Sequence, residues 1–322
     1  MKRTLINTPQ TLIEIIDTIN EPNIIKNMKD KILISFSGGK TSAYMAYFLL
    51  NEWEDRHKYE FITVFANTGK EIEQTLEFVD RCDKEFNLNL IWVESLVAKK
   101  YGVGIKHKIV NFETCSRNGE PFESIISKYG IPSQGMPFCS DYLKKSPIRS
   151  FASSIGWDDY ITAIGIRIDE PKRIKKKSFK VLYPLAQLKY MTKQNINAWW
   201  DKQSFNLNIK SYQGNCDLCW KKSNRTLMTL IEESPEKVNW WLLMENKYKD
   251  FVSEGKQGNV EYEPPYYFHR GQVSLNEIIE ESKFPFRKEV DKNIQLNELE
   301  QLRLWDYELD STDGCTESCE VF

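Results

Sequence analysis

The chain has 322 residues, of which 41% are hydrophobic and 13% aromatic, enough to bury a sizeable core and too apolar for an intrinsically disordered chain. A net charge of −2 gives no global pull toward nucleic acid, so any such contact has to come from a local patch. No apolar run of the roughly 18 residues that span a bilayer occurs, and residues 1–12 lack the apolar stretch of a signal peptide, which leads us to expect a cytoplasmic protein without membrane partners.

Thr8-Pro9, followed by Leu12, Ile13, Ile15, Ile16 and Ile19, reads as a capped amphipathic helix ending before Pro22. Residues 1–28 are therefore expected to pack as a helix on the outside of the core. Next comes the apolar run Ile32-Leu33-Ile34-Ser35-Phe36, which stops at Ser37-Gly38-Gly39-Lys40-Thr41-Ser42 and continues into a helical pattern over 43–50. This is a strand, a phosphate-sized loop and a helix N-terminus in succession. Two glycines let the backbone turn tightly, the free N–H groups and dipole of the helix favour an anion, and Lys40 with the hydroxyls adds charge and donors. A Walker A loop is excluded, because it needs a glycine five residues before Gly39, where Ile34 stands.

Residues 61–66 form a second apolar strand that ends in Asn67-Thr68-Gly69, and a charged, periodic helix over 71–86 leads to a third strand over 88–93. Residues 101–117 read as a loop-like insertion, 121–129 and 141–154 as helices, and 160–166 as a further strand running into Arg167-Ile168-Asp169-Glu170. Helices are expected over 191–200, 225–233 and 235–249, with a tight knuckle at 216–219, a short helix near 275–281 and an acidic tail. Strands alternating with helices imply an α/β fold, a twisted parallel sheet with helices on both faces, whose ligands bind beyond the carboxyl ends of the strands.

Seven cysteines, at 82, 115, 139, 216, 219, 315 and 319, are an odd number that argues against a disulfide framework and for metal or redox use. Cys216-Asp217-Leu218-Cys219 alone fits zinc, an iron–sulfur cluster or a redox dithiol. Cys82 reads as core filling, and the Trp199-Trp200 and Trp240-Trp241 pairs as helix packing or base stacking. The run from Lys172 to Lys180 reads as a solvated loop or a grip on a polynucleotide.

The Ser-Gly-Gly-x-x-Ser loop resembles that of the phosphoadenosine phosphosulfate (PAPS) reductase and ATP pyrophosphatase superfamily. Four further stretches are similar to the PAPS reductase family in the family's order: Phe65-Ala66-Asn67-Thr68-Gly69; Cys139 to Pro147 with Leu143 and Lys144; Gly165-Ile166-Arg167 with Glu170 and Arg173; and Tyr183-Pro184-Leu185 with Thr192, Asn195 and Trp199. The knuckle Gly214-Asn215-Cys216-Asp217-Leu218-Cys219 closes the series.

The resemblance implies an adenine nucleotide alpha-hydrolase-like domain over 29–235, followed by a mostly helical extension and acidic tail over 236–322. It implies an adenine nucleotide, ATP with Mg or a phosphosulfate nucleotide, on Ser37, Gly38, Gly39, Lys40, Thr41, Ser42, Asn67, Thr68, Gly69, Gly165, Arg167 and Arg173, with Lys40, Arg167 and Cys139 in catalytic roles. For Arg167 a local ion pair with Asp169 or Glu170 is the alternative, and for Asn67 a plain turn role. Cys139, Cys216 and Cys219 would share an iron–sulfur cluster, or zinc, with Cys115, His107 or His269 as a fourth ligand; unmetallated thiols are the remaining reading. Thr41 stands where ATP pyrophosphatases carry Asp, and Cys315 and Cys319 lack the reductase tail's context. The implied activity is sulfonucleotide reduction or ATP-dependent sulfur transfer, with a thiol reductant or sulfur-donor protein as partner. The alternative is a nucleic-acid-associated modification or nucleotide-sensing factor with structural zinc.

Overall fold

The computed structural model describes residues 31–291 apart from 101, 134–136, 176–179, 255–262, 270 and 272. The expected helix over 1–28, part of the basic run at 172–180, and the tail with Cys315 and Cys319 lie outside the described residues.

A six-stranded sheet has the order β4-β3-β2-β1-β5-β6, with β1 Lys31–Phe36, β2 Glu60–Asn67, β3 Leu90–Leu96, β4 Lys106–Val110, β5 Ile161–Ala163 and β6 Val181–Leu182. β1 lies at the centre, parallel to β2 and β5, and its apolar run is explained by burial on both faces. Ile32, Ile34 and Phe36 face one core and Leu33 the other. The first core is closed by helices α1 Lys40–Tyr47, α2 Glu73–Phe86 and, after the short α5 Pro184–Gln187, α6 Lys193–Trp200. The second is closed by α4 Ser146–Ser154 through Ile148, Phe151 and Ala152.

The chain runs outward from β1 through β2 and β3, then returns to the other side of β1 for β5. That reversal opens a crevice at the carboxyl end of β1, where open α/β sheets take ligands. The register Phe36↔Phe65 ends β1 and β2 nearly level, so the loop 37–42 and the turn 67–71 emerge side by side.

The expected loop over 101–117 contains β4, which pairs antiparallel with β3. Lys106, His107 and Lys108 hid it, because only Val110 of the strand is buried; an edge strand is held by its neighbour's hydrogen bonds and often carries charge. The helix expected from Glu71 begins at Glu73, because Glu71 forms an isolated bridge with Cys216.

A separate core joins α3 Glu120–Tyr129, α7 Asn224–Glu233, α8 Val238–Tyr248 and α9 Leu275–Ser282. Trp241 at 1% exposure and Phe268 at 0% fill its centre, so the Trp240-Trp241 pair packs helices. No helix among the described residues is long and apolar enough to cross a membrane.

Two titratable groups in this helical core act in opposite senses. Glu245 accepts from the backbone N–H groups of Phe268 at 3.2 Å and Leu275 at 2.9 Å, and burial pushes its carboxyl up to about 7. His269 is 2% exposed, its ring nitrogens have no partner among the described residues, and burial pushes it down to about 4. Between about pH 4.5 and 6.5 the folded state holds the extra proton at Glu245, so stability falls as pH rises; at His269 the unfolded chain holds it, so stability rises. Each slope is about 1.4 kcal/mol per pH unit, and the two oppose. Urea unfolding across this window should show Glu245→Gln gaining stability with rising pH relative to the parent and His269→Gln losing it; two variants that track the parent would remove this account.

Candidate functional site

The loop at the end of β1 is shaped by its own hydroxyls. Ser42 Oγ accepts from the Ser37 N–H at 3.1 Å, pairs with Ser37 Oγ at 2.9 Å and donates to the Gly39 carbonyl at 3.0 Å. Gly38 has φ +85°, and a Cβ there would lie 2.9 Å from Thr75 Cγ2, so both the backbone and the α2 packing demand glycine. Gly39 caps α1 without any side-chain cap hydrogen bond. The first N–H groups of the helix are thus left for a ligand or water. At the other end of this turn Trp200 Nε1 donates to the Lys40 carbonyl at 3.0 Å, which seats α6 against α1.

Lys40 and Arg167 face a cleft of about 110 Å³ whose other walls carry Lys193, Lys210 and Asn215. That is smaller than the roughly 300–1,000 Å³ of a typical small-molecule site, with room for no more than the charged end of a ligand. Arg167 is 5% exposed. Its Nε donates to Asp169 at 2.9 Å, its Nη1 to Thr41 Oγ1 at 3.1 Å, and its Nη2 lies 3.6 Å from Glu170. The local ion pair is therefore formed, and the same guanidinium reaches the phosphate-sized loop. Burial pulls the Lys40 ammonium below its ordinary value, with Lys193 acting in the same sense and Asp201 and Asp291 opposing. Arg173 pairs with Glu170 and is not among the residues lining the cleft.

The turn after β2 is built around buried carboxylates. Asn67 Nδ2 donates to Glu94 Oε1 at 2.7 Å and to the Ser116 carbonyl at 2.8 Å, while its oxygen accepts from the Gly69 N–H at 3.2 Å. Its side chain thus serves the turn. Thr68 gives both its N–H and its hydroxyl to Glu71 Oε2, each at 2.8 Å. Burial raises the Glu71 carboxyl above its ordinary value, with Lys144 pulling the other way.

The knuckle is pinned to this turn. The Ile72 N–H donates to the Asn215 carbonyl at 2.8 Å, the Asp217 N–H donates to the Lys70 carbonyl at 3.1 Å, and the Asn215 amide reaches the Ser37 carbonyl. Lys70 and Asp217 form a buried ion pair at 2.9 Å, and Trp241 Nε1 donates to Asp217 at 2.8 Å. One short segment thereby ties the phosphate-sized loop, the β2 turn and the helical core together.

Cys216 Sγ lies 4.0 Å from Thr68 Oγ1, and Cys139, Cys216 and Cys219 are all partly exposed. No group of three His, Cys, Asp or Glu side chains among the described residues is arranged to hold a metal ion; as placed, these thiols do not make a metal-binding set. Of the candidate fourth ligands, Cys115 donates to the Phe112 carbonyl with its thiol pushed up to about 11 by burial. His107 lies on Ser150, and His269 is in the helical core. Cys82 is fully buried, as expected.

Sequence reading missed Lys193 and Lys210, which nothing but the fold brings to the cleft. Asn215 stood inside the quoted knuckle and was passed over for its cysteines, and Glu71 was read only as the start of the helix over 71–86.

Losing one partner of the buried pair strands a charge, typically at about 3–5 kcal/mol, whereas an apolar replacement of both is close to neutral. Urea unfolding should therefore show Asp217→Leu and Lys70→Met each strongly destabilised and the double variant largely recovered. Simple additivity of the two losses would show that the pair does not organise the knuckle.

Comparison with known proteins bears on this geometry. Residues 31–183 match the family described as the phosphoadenosine phosphosulfate reductase domain. An uncharacterized nin region protein, ORF290, of Escherichia phage lambda is 31% identical over 90% of this chain and 94% of its own length. An uncharacterized protein of Methanocaldococcus jannaschii, MJ0066, is 25% identical over 52% of this chain and 29% of its own. Among solved structures, a PAPS reductase from Candida auris in a phosphate complex aligns with 62% of this chain and 89% of its own, at 12% identity and TM-score 0.34. An FMN adenylyltransferase from Candida glabrata with FAD and inorganic pyrophosphate covers 70% of this chain and 67% of its own, at 15% identity and TM-score 0.29. The matched residues take in the phosphate-sized loop at the sheet's reversal, and the chain belongs to the PAPS reductase family.

Proposed function

We propose that this protein binds an adenine nucleotide with its phosphate or phosphosulfate end on residues 37–42 and acts in sulfur chemistry, as a sulfonucleotide reductase or an ATP-dependent sulfurtransferase. The observation that carries the reading is the cleft itself, where the uncapped start of α1 meets four cations, Lys40, Arg167, Lys193 and Lys210. Arg167 suits two oxygens of one phosphate or sulfate, because its planar fork can donate in parallel. Its bonds to Asp169 and Thr41 fix the fork's orientation before a ligand arrives.

For reduction, a thiolate would attack the sulfate sulfur, forming a sulfur–sulfur bond while the sulfur–oxygen bond to phosphate breaks and the nucleotide leaves with the electron pair. A thiol reductant would then release sulfite. For transfer, an acceptor oxygen would attack the alpha-phosphorus and pyrophosphate would leave. In both, Lys40 and Arg167 would hold the charge that develops on the leaving phosphate. Cys139 is the thiol we assign to the reductive route, on the family resemblance of its segment.

Calorimetry with ATP and with PAPS tests the assignment. Lys40→Ala should weaken binding about ten- to hundredfold, the worth of one charge-assisted hydrogen bond, and Arg167→Lys should weaken it by losing the fork. Unchanged affinities for both nucleotides in both variants would sink it.

An iron–sulfur cluster or zinc on Cys139, Cys216 and Cys219 is the finer proposal, and it requires those thiols to be drawn together. Anaerobic purification with metal analysis decides it: each single Cys→Ser change should lower metal content, since a serine hydroxyl is a poor substitute for thiolate, and Cys82→Ser should not. Metal-free wild-type protein, or full metal in Cys139→Ser, would end the three-cysteine reading.

A further inference from the structure

On the outer edge of the sheet, away from the nucleotide cleft, an open trough of about 650 Å³ runs between β4 and α4. Lys106 and His107 line it from the strand, and Ser146, Arg149, Ser150 and Ser153 from the helix; no carboxylate is among its lining residues. Asp158 approaches one end but is taken up by the Ser153 hydroxyl. His107 Nδ1 lies 2.9 Å from Ser150 Oγ and the ring meets Phe151 edge to face, so strand and helix are locked together along the floor.

Many cations elsewhere in the molecule are held in ion pairs, Lys84 with Asp80, Lys145 with Asp141, Lys189 with Glu52 and Arg225 with Glu289. Lys106 and Arg149 are exposed, and neither forms an ion pair among the described residues. Lys99, Lys100 and Lys108 on the adjoining loop and strand are exposed as well. A chain of net charge −2 thus carries a local basic ridge, which is the only way it can attract a polyanion. The ridge also has a direction: Lys106 pairs with Leu96, the last residue of β3, so it stands at the carboxyl end of the sheet, as does the loop 37–42. The order β4-β3-β2-β1 puts roughly 14 Å between them at about 4.8 Å per strand.

We propose that this trough holds the phosphodiester backbone of a nucleic acid. Cations interleaved with hydroxyl donors match phosphate oxygens, and the trough is too open to enclose a lone anion. No Phe, Tyr or Trp lines it, and the His107 ring is held against Ser150 and Phe151, so there is no platform for stacked bases and the binding is independent of sequence. Edge-strand lysines also discourage pairing with other chains, but charge of either sign does that, whereas phosphate binding needs positive charge. The proposal stands apart from the nucleotide reading and does not depend on it.

The test is fluorescence anisotropy of a short labelled oligothymidylate, alongside ATP affinity by calorimetry on the same preparations. Lys106→Glu/Arg149→Glu should weaken the oligonucleotide at least tenfold and leave ATP affinity and the urea midpoint unchanged. In Lys106→Gln/Arg149→Gln the slope of log affinity against log salt should flatten by about 1.4, two contacts at about 0.7 each for a single strand. Unchanged oligonucleotide affinity after charge reversal would overturn the proposal. So would complete displacement by inorganic phosphate at matched ionic strength, which marks a single-anion site, or a parallel loss of ATP affinity, which places the oligonucleotide in the nucleotide cleft.

Discussion

The buried ion pair between Lys70 and Asp217 is the constraint on which the rest of the molecule depends. Each side chain is about a tenth exposed, and such pairs seldom add much net stability because both ions lose their hydration. What this one does is fix position. It joins the turn after β2 to the knuckle, and through Trp241 it joins both to the helical core. The stretch leading into the knuckle supplies one wall of the cleft, including Lys210 and Asn215. If the knuckle shifted, that wall would shift with it.

Charge in the cleft is concentrated and locally offset. Asp169 takes Arg167 Nε with one oxygen and the Lys193 N–H at 3.1 Å with the other. Glu233 takes Lys210 and the Tyr212 hydroxyl. Neither Asp169 nor Glu233 is among the residues lining the cleft, so the lining keeps its positive charge while the whole chain stays near neutrality. Thr41, where ATP pyrophosphatases carry Asp, gives Arg167 an uncharged acceptor beside the loop and so leaves more of its charge for an anion.

Much of the fold was legible because its determinants are local. An apolar run ending in Ser37-Gly38-Gly39 can hardly be anything but a buried strand turning into a helix, and the periodicity over 224–233 announces α7. β4 was not legible, since its residues Lys106 to Ile109 carry no burial pattern and the strand exists by pairing with β3. At the site, Lys40 and Arg167 could be found beside their motif glycines, while Lys193 and Lys210 come from separate segments that only tertiary packing brings in. Asn67 reads from the sequence as a nucleotide-binding residue or a plain turn residue, whereas its amide is committed to Glu94, a partner 27 positions away that no local pattern indicates. The three cysteines share motif order without sharing a donor set among the described residues.

The Ser37–Ser42 hydroxyl pair has a consequence for how a ligand would arrive. Because the loop's curvature is set by its own side chains and by a glycine already in the left-handed region, little conformational entropy is left to lose on binding. Association should then proceed in a single step, at a rate set by diffusion and by the field of the cleft and falling as salt screens that field. The receptor is preorganised, so selectivity among anions would be exercised in how slowly they leave.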